Sequence, residues 1–169
     1  MRQVFRNPAP FISALQSHIQ ARGYSGVNID WEPTKGVTAR DALDYAAFLD
    51  LLASELHAVG AQVTVDFATW SPIWNLTALA ATGVDRFMDM GTYTDSPDSW
   101  KRQLQVALQA LPHGKIVVGL ETTMASSGAP YPVSVLQQRF QLLREAGLDA
   151  VGLWLAPIPA SFLPFLRDL

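Results

Sequence analysis

Residues Gly26–Glu32 read GVNIDWE, and they carry the strongest structural signal in the sequence. Branched and aromatic residues in a short run bounded by glycine predict a β-strand. Side chains alternate along a strand, so the apolar residues of this run lie on one face and the polar ones on the other. The polar face consists of Asn28, Asp30 and Glu32.

The two carboxyl groups on this face suggest a function. A polar row inside a sheet is costly unless its members are paired and hydrogen-bonded. Asp30 and Glu32 are two residues apart, which places them roughly 6–7 Å apart along the backbone. Mutual repulsion and partial burial are expected to leave one of them with its proton near neutral pH, as a general acid requires. The alternative is a solvated strand end that carries acidic residues by chance.

Working outward from this strand, short apolar runs alternate with longer helical ones. Strands are predicted at 27–31, 63–69, 87–92, 116–120 and 150–155. Helices are predicted at 10–22, 41–59, 76–81, 100–111, 133–146 and 159–169. In the helix at 41–59, the apolar spacing suggests four inward residues: Leu43, Ala47, Leu51 and Leu52.

This order predicts a parallel sheet built from βαβ units. The fold class is α/β, a partial TIM (β/α)8 barrel with about five strands and flanking helices. A closed barrel needs eight strands and usually about 250 residues, so residues 1–169 are expected to form one domain that is incomplete at its N-terminal side. Polar and aromatic residues end several strands, at the edge where such barrels place active sites.

Composition narrows the function classes. The chain has 169 residues, 49% of them hydrophobic and 16% charged, which indicates a folded globular body. The net charge is -3 and the cations are scattered, which argues against nucleic acid and membrane surfaces as partners. Cysteine is absent, and the three histidines (His18, His57 and His113) are predicted on the surface, so no metal site is expected. No apolar signal core follows residues 1–6.

Gly26–Glu32 resembles the Asp-Gly-x-Asp-x-Asp-x-Glu signature of glycoside hydrolase family 18, the chitinases and their relatives. In that family the signature lies on the fourth barrel strand. Val63–Pro72 resembles the fifth strand, especially in the di-N-acetylchitobiase-like branch, and Met90–Tyr93 resembles the Met-x-Tyr motif of the sixth. The segments at 117–120 and 152–154 resemble the seventh and eighth. The resemblance therefore covers strands four to eight only.

The resemblance implies a hydrolase of β-1,4 linkages of N-acetylglucosamine, in chitin or chitooligosaccharides, that uses no cofactor. It implies a retaining, substrate-assisted mechanism in which the substrate's own N-acetyl carbonyl attacks the anomeric carbon. Glu32 would be the acid and base, and Asp30 would bind the acetamide N–H. Tyr93 would bind the acetamide from the other side, and Trp154 would stack under the sugar ring.

Three more residues are candidate substrate contacts. Asn28 stands where the family has an aspartate and can hydrogen-bond Asp30. Asp66 is expected on the same face, either as a partner of the catalytic carboxylates or as a satisfied core group. Trp70 is either a sugar platform or a residue packed under a loop.

The sequence also departs from the family. Ser25 replaces the first aspartate of the signature, and one extra residue separates Met90 from Tyr93, so a bulge is expected there. The segment at 121–123 replaces the usual Pro-x-Tyr after the seventh strand, which leaves Glu121 unexplained; a rim carboxylate in water is the alternative.

The absent strands keep a second function open, that of a non-catalytic sugar-binding, lectin-like protein or an inactive barrel fragment. Three explanations for the absent strands stay open: a fragment of a longer gene, a degraded copy, or half of an assembly expected to complete its barrel by self-association. The parent protein is expected to be secreted or lysosomal.

Overall fold

The computed structural model describes residues 1–33 and 35–169. Its five strands are parallel and hydrogen-bonded in chain order. They are β1 (Gly26–Ile29), β2 (Gln62–Phe67), β3 (Arg86–Asp89), β4 (Ile116–Glu121) and β5 (Val151–Trp154). The helices are α1 (Arg2–Arg6), α2 (Ala9–Arg22), α3 (Ala39–His57), α4 (Leu76–Ala80), α5 (Pro97–Ala110), α6 (Val133–Glu145) and α7 (Leu163–Arg167). This is the (β/α) pattern of a partial TIM barrel, as the sequence predicts.

Four of the five strands are shorter than predicted, β1 and β2 by one residue and β3 and β5 by two. β1 ends at Ile29, because the chain then leaves the sheet and places Trp31 edge-on against Phe5 and Tyr45, at 5.2 Å between ring centroids in each case. β3 ends at Asp89, where the sequence predicted a strand that continued to residue 92. A 3-10 turn follows it immediately, so the extra residue before Tyr93 is taken up by a turn and not by a bulge.

The chain forms two compact units, residues 1–87 and residues 88–169. In the first unit, α3 contributes most of the helical core. The prediction of its inward face was wrong for three residues of four: Leu43 is 51% exposed and Leu51 41% exposed, and Ala47 is exposed as well, whereas Leu52 is buried. The buried face is a neighbouring stripe that includes Tyr45, Ala46, Phe48, Leu49, Leu52, Ala53 and Leu56. That stripe carries the larger side chains and so removes more apolar area from water.

The start of α3 is fixed by a capping box. The Thr38 hydroxyl accepts the N–H of Asp41, and the Asp41 side chain accepts the N–H of Thr38. Arg2, on the helix α1 that sequence patterns did not predict, forms an ion pair with Asp41 at 2.5 Å. α3 has 19 residues, but no helix in the described ranges combines the length and apolarity that crossing a bilayer requires.

In the second unit, β4 and β5 pair in parallel with Gly119 opposite Gly152 and Glu121 opposite Trp154. The core between the strands and helices α5 to α7 contains large buried aromatic side chains: Trp100, Phe140 and Phe162. Ser96 caps α5 by accepting the N–H of Ser99. The register sets which side chains end up together at the carboxyl edge of this unit.

Candidate active site

The first unit brings the polar faces of β1 and β2 together. The Asn28 side-chain amide donates to the Thr64 hydroxyl at 2.9 Å and to an Asp66 carboxylate oxygen, also at 2.9 Å. Parallel pairing sets Asn28 opposite Thr64, while the alternate residues Val63 and Val65 are buried on the other face. The expected alternation is therefore confirmed at Asn28, and the amide does not merely replace a charge but links the two strands.

Asp30 and Glu32 follow β1 directly and are both exposed, so the expected partial burial is not found. Their charges nevertheless act on Asp66. Burial raises the pKa of Asp66 above its ordinary value, the Asn28 amide opposes that rise, and the negative charges of Asp30 and Glu32 add to it. The three carboxyl groups thus form one electrostatic cluster at the carboxyl ends of β1 and β2.

Tyr45 belongs to the same neighbourhood, and sequence reasoning missed it. Its side chain is fully buried on α3, and its hydroxyl has no hydrogen-bond partner among the described residues. Burial first, and then the charges of Asp30 and Asp66, raise the pKa of Tyr45 above its usual range. Nothing in the sequence distinguishes this tyrosine from an ordinary core residue, because only the packing of α3 on the sheet brings it near the carboxylates.

The tryptophans of the first unit differ in packing and in how much of each side chain is exposed. Trp31 packs edge-on against the helix aromatics Phe5 and Tyr45. Trp74 is buried, and Trp70 lies edge-on to it at 5.6 Å with 58% of its own surface exposed. Trp70 lines a cavity of about 300 Å³ together with Pro33 and other loop residues. Trp70 therefore combines a packing contact with Trp74 and an indole surface that is exposed beside the cavity.

In the second unit a tight turn presents Tyr93. The 3-10 turn Met90–Thr92 is capped by Asp89, whose carboxylate accepts the Gly91 N–H at 2.8 Å. The Thr92 hydroxyl lies 2.7 Å from the carbonyl oxygens of Asp89 and Gly119. A Cβ on Gly119 would come within 2.5 Å of the Tyr93 ring, so the ring lies directly on this glycine. Only glycine permits so close an approach.

Trp154 ends β5 beside Tyr93. The two ring centroids are 6.1 Å apart at an interplanar angle of 32°, and Trp154 is 55% exposed. The next residue, Leu155, has φ 76°, a left-handed conformation that side chains disfavour and that tends to occur at functional sites. The Thr122 hydroxyl lies 3.1 Å from the Trp154 carbonyl oxygen and 3.2 Å from that of Leu155. The structure therefore holds Tyr93 and Trp154 together as an exposed aromatic pair.

Glu121, which the sequence left unexplained, is half-buried at the end of β4. The Tyr131 hydroxyl donates to Asp95 at 2.8 Å and lies 3.3 Å from a carboxylate oxygen of Glu121. Burial raises the pKa of Glu121, whereas hydrogen bonds from Ser126, Tyr131 and the backbone lower the pKa of Asp95 to about 2. The alternative reading of Glu121 as a rim carboxylate in water is weakened by this network.

Within residues 1–33 and 35–169, no group of three or more histidine, cysteine, aspartate or glutamate side chains could hold a metal ion. The chemistry available in the first unit is that of carboxyl groups and an amide, and in the second unit that of aromatic rings and carboxyl groups.

No protein-family model matches the chain, and no curated protein matches it. Several solved structures, in contrast, match the chain. A chitinase from Chromobacterium violaceum matches 98% of this chain and 72% of its own, with a TM-score of 0.79 and 16% identity. The spore cortex-lytic enzyme SleL from Bacillus megaterium matches 97% of this chain and 54% of its own, with a TM-score of 0.80 and 14% identity.

A third match is catalytic domain 2 of a Group II chitinase from Ostrinia furnacalis, a mutant in complex with penta-N-acetylchitooctaose, (NAG)5. It matches 90% of this chain and 66% of its own, with a TM-score of 0.70 and 11% identity. At such identities the likeness establishes the fold, and the roles of individual residues do not follow from it. Over nearly its whole length the chain therefore has the fold of these chitinases and of the spore cortex-lytic enzyme.

Proposed function

We propose that the chain is, or is part of, a glycosidase that hydrolyses β-1,4 linkages of N-acetylglucosamine, with Glu32 as acid and base. The observation that carries the proposal is the carboxylate cluster of Asp30, Glu32 and Asp66 at the carboxyl ends of β1 and β2. In a (β/α) barrel this is the edge at which active sites form. The chitinase-type fold and the (NAG)5 bound to one structural neighbour support the same substrate class.

The proposed reaction needs one acid and no enzyme nucleophile. Glu32 protonates the glycosidic oxygen of the leaving group. The N-acetyl carbonyl oxygen of the sugar that carries the reacting anomeric carbon then attacks that carbon, which gives an oxazolinium ion. Asp30 accepts the acetamide N–H and stabilises the positive charge. Glu32, now a carboxylate, then takes a proton from the attacking water, so the anomeric configuration is retained. This route is an exception to the usual scheme with two catalytic carboxylates.

Each remaining candidate has a role that fits its position. Asn28 and Asp66 hold each other through the 2.9 Å hydrogen bond and support Asp30. Trp154 provides the stacking surface for a sugar ring, and Tyr93 binds the acetamide. Trp70 offers a further exposed platform. Both aromatic platforms suit sugar rings, whose apolar faces stack on indole.

Turnover of a fluorogenic chitobioside by the purified chain tests the proposal. Glu32→Gln should lower kcat/KM at least about 100-fold, because a positioned general acid contributes about 10²–10⁴. Glu55→Gln, the same chemical change on the exposed side of α3, is the matched control and should leave the rate unchanged. Release that persists in Glu32→Gln would refute the catalytic assignment.

The substrate-assisted step has its own test. A chitobioside whose reacting sugar carries a free amine in place of the acetamide lacks the internal nucleophile, so it should not be cleaved. Proton NMR of the first-formed sugar should show the retained anomer. Cleavage of the deacetylated substrate at a comparable rate would point instead to an enzyme carboxylate as nucleophile.

A non-catalytic sugar-binding protein or inactive barrel fragment is the second candidate, because the described residues form five strands where a closed barrel has eight. Binding of chitooligosaccharides without turnover would favour it. Self-association is proposed as one way to supply the remaining barrel. A solution mass clearly above 18.5 kDa by light scattering would support that association, and a monomer mass would argue against it.

A further inference from the structure

Glu121 has no part in the reaction proposed above, yet it lies beside the aromatic pair. Side chains two apart on a strand share a face, so Glu121 projects on the same side of β4 as Gly119, on which the Tyr93 ring lies. Across the parallel pairing its register partner is Trp154. Adjacent strands are about 4.8 Å apart, so the two side chains start from neighbouring backbone positions at the carboxyl edge of the sheet.

The Glu121 side chain is held in place by a built network rather than left in water. Tyr131 is buried, and its hydroxyl bridges Glu121 and Asp95. Asp95 is itself fixed by the backbone N–H groups of Ala125 and Ser126, at 3.1 and 2.8 Å. Residues from two connecting segments, the one before α5 and the one between β4 and α6, thus form the network that holds Glu121.

Arg139 secures the other side of Tyr131. Its guanidinium lies 4.5 Å from the centroid of the Tyr131 ring and 5.4 Å from that of Trp100, a cation–π arrangement on both. It donates to the Thr94 carbonyl at 2.6 Å and is buried. Such supporting contacts are what a binding group requires if its geometry is to be fixed.

A sugar ring stacked on an indole turns its hydroxyl groups outward around the edge of the ring. A carboxyl group on the neighbouring strand is then positioned to accept from one or two of them. We propose that Glu121 is a specificity-determining residue that accepts a hydrogen bond from a hydroxyl of the N-acetylglucosamine ring stacked on Trp154, with Tyr131 as its positioning residue. This inference rests on the proposed function.

The test measures binding without turnover. Chitotetraose is titrated into the full chain carrying Glu32→Gln, and Kd is read by calorimetry. Adding Glu121→Ala should weaken binding about tenfold, the effect expected when a hydrogen bond to a charged group is lost. Glu121→Gln keeps the shape and one acceptor oxygen, so it should weaken binding only about threefold. Glu145→Ala, at the exposed end of α6, is the matched control and should leave Kd unchanged.

Tyr131→Phe separates positioning from general stability. Alone it should weaken binding about threefold, and in the Glu121→Ala background it should have no further effect, since it acts through Glu121. Equal effects in both backgrounds would refute the positioning role. A Kd for Glu121→Ala within about twofold of the parent would overturn the proposal while leaving the proposed function intact. Failure of the parent to bind chitotetraose would overturn both.

Discussion

Replacing Asp89 by asparagine should make the protein more stable at alkaline pH. Asp89 is the last residue of β3 and is 1% exposed. One carboxylate oxygen accepts the Gly91 N–H, and the other has no hydrogen-bond partner among the described residues. Burial raises the pKa of Asp89 to about 7, since the ionised form loses its hydration and receives only the one hydrogen bond in return.

Proton linkage determines whether the free energy of unfolding rises or falls with pH. The folded protein binds a proton at Asp89 below about pH 7, while the unfolded chain releases it near its ordinary value of 3.8. The unfolded state therefore binds fewer protons across this window, and the free energy of unfolding falls as pH rises. A difference of about three pKa units corresponds to ~4 kcal/mol, an upper bound that is reached above about pH 8.

Asp89→Asn keeps the acceptor for Gly91 but leaves a buried amide, which costs about 1–3 kcal/mol. At pH 8.5 the free energy of unfolding of the variant should exceed that of the parent by ~1–3 kcal/mol. Near pH 5 this difference should vanish. Urea unfolding followed by tryptophan fluorescence from pH 5 to 9 gives both curves. Asp168→Asn, an exposed aspartate, is the control and should show no such trend. A difference that is constant with pH, or that grows toward acid, would refute the reasoning.

Three further substitutions test the packing. Gly119→Ala should destabilise the fold by about 3 kcal/mol in urea unfolding and weaken chitotetraose binding, because the new methyl collides with the Asp89 carbonyl oxygen and the Tyr93 ring; unchanged stability would contradict the close approach. Tyr45→Phe removes a buried hydroxyl that lacks a described partner, so Tm should stay or rise; a loss above about 1 kcal/mol would reveal a hydrogen bond there. Thr122→Val should cost about 1 kcal/mol because the Leu155 carbonyl loses its hydroxyl donor, whereas the Thr122 N–H still donates to the Trp154 carbonyl; an unchanged midpoint would contradict the hydroxyl contact.

Local patterns predicted the order of strands and helices because each pattern depends on a few neighbouring residues. The period of two correctly placed Asn28 on the polar face with Thr64 and Asp66. Strand ends were less predictable. β1 stops early because Trp31 packs against aromatic side chains of the helices, a contact between residues distant in the chain. β3 stops early because Asp89 caps a turn through a local hydrogen bond. A hydropathy pattern reports neither kind of contact.

The rotation of α3 shows where periodicity fails. Two apolar stripes compete on this helix, one through Leu43 and Leu51 and one through Tyr45, Leu49 and Leu56. Both have helical spacing, so the pattern alone cannot rank them. The sheet and α1 select the second stripe because its larger side chains fill the space they leave.

By itself the sequence determined the alternating (β/α) order and the polar face of β1, since both depend on residue types and short spacings; it also supplied the candidates for the acid and the platform. The tertiary structure alone placed Tyr45 near the carboxylates, set Tyr93 on Gly119, and brought Tyr131, Asp95 and Arg139 around Glu121. These contacts join residues far apart in the chain, and they form only when the strands fix a register and the helices fill the space against it.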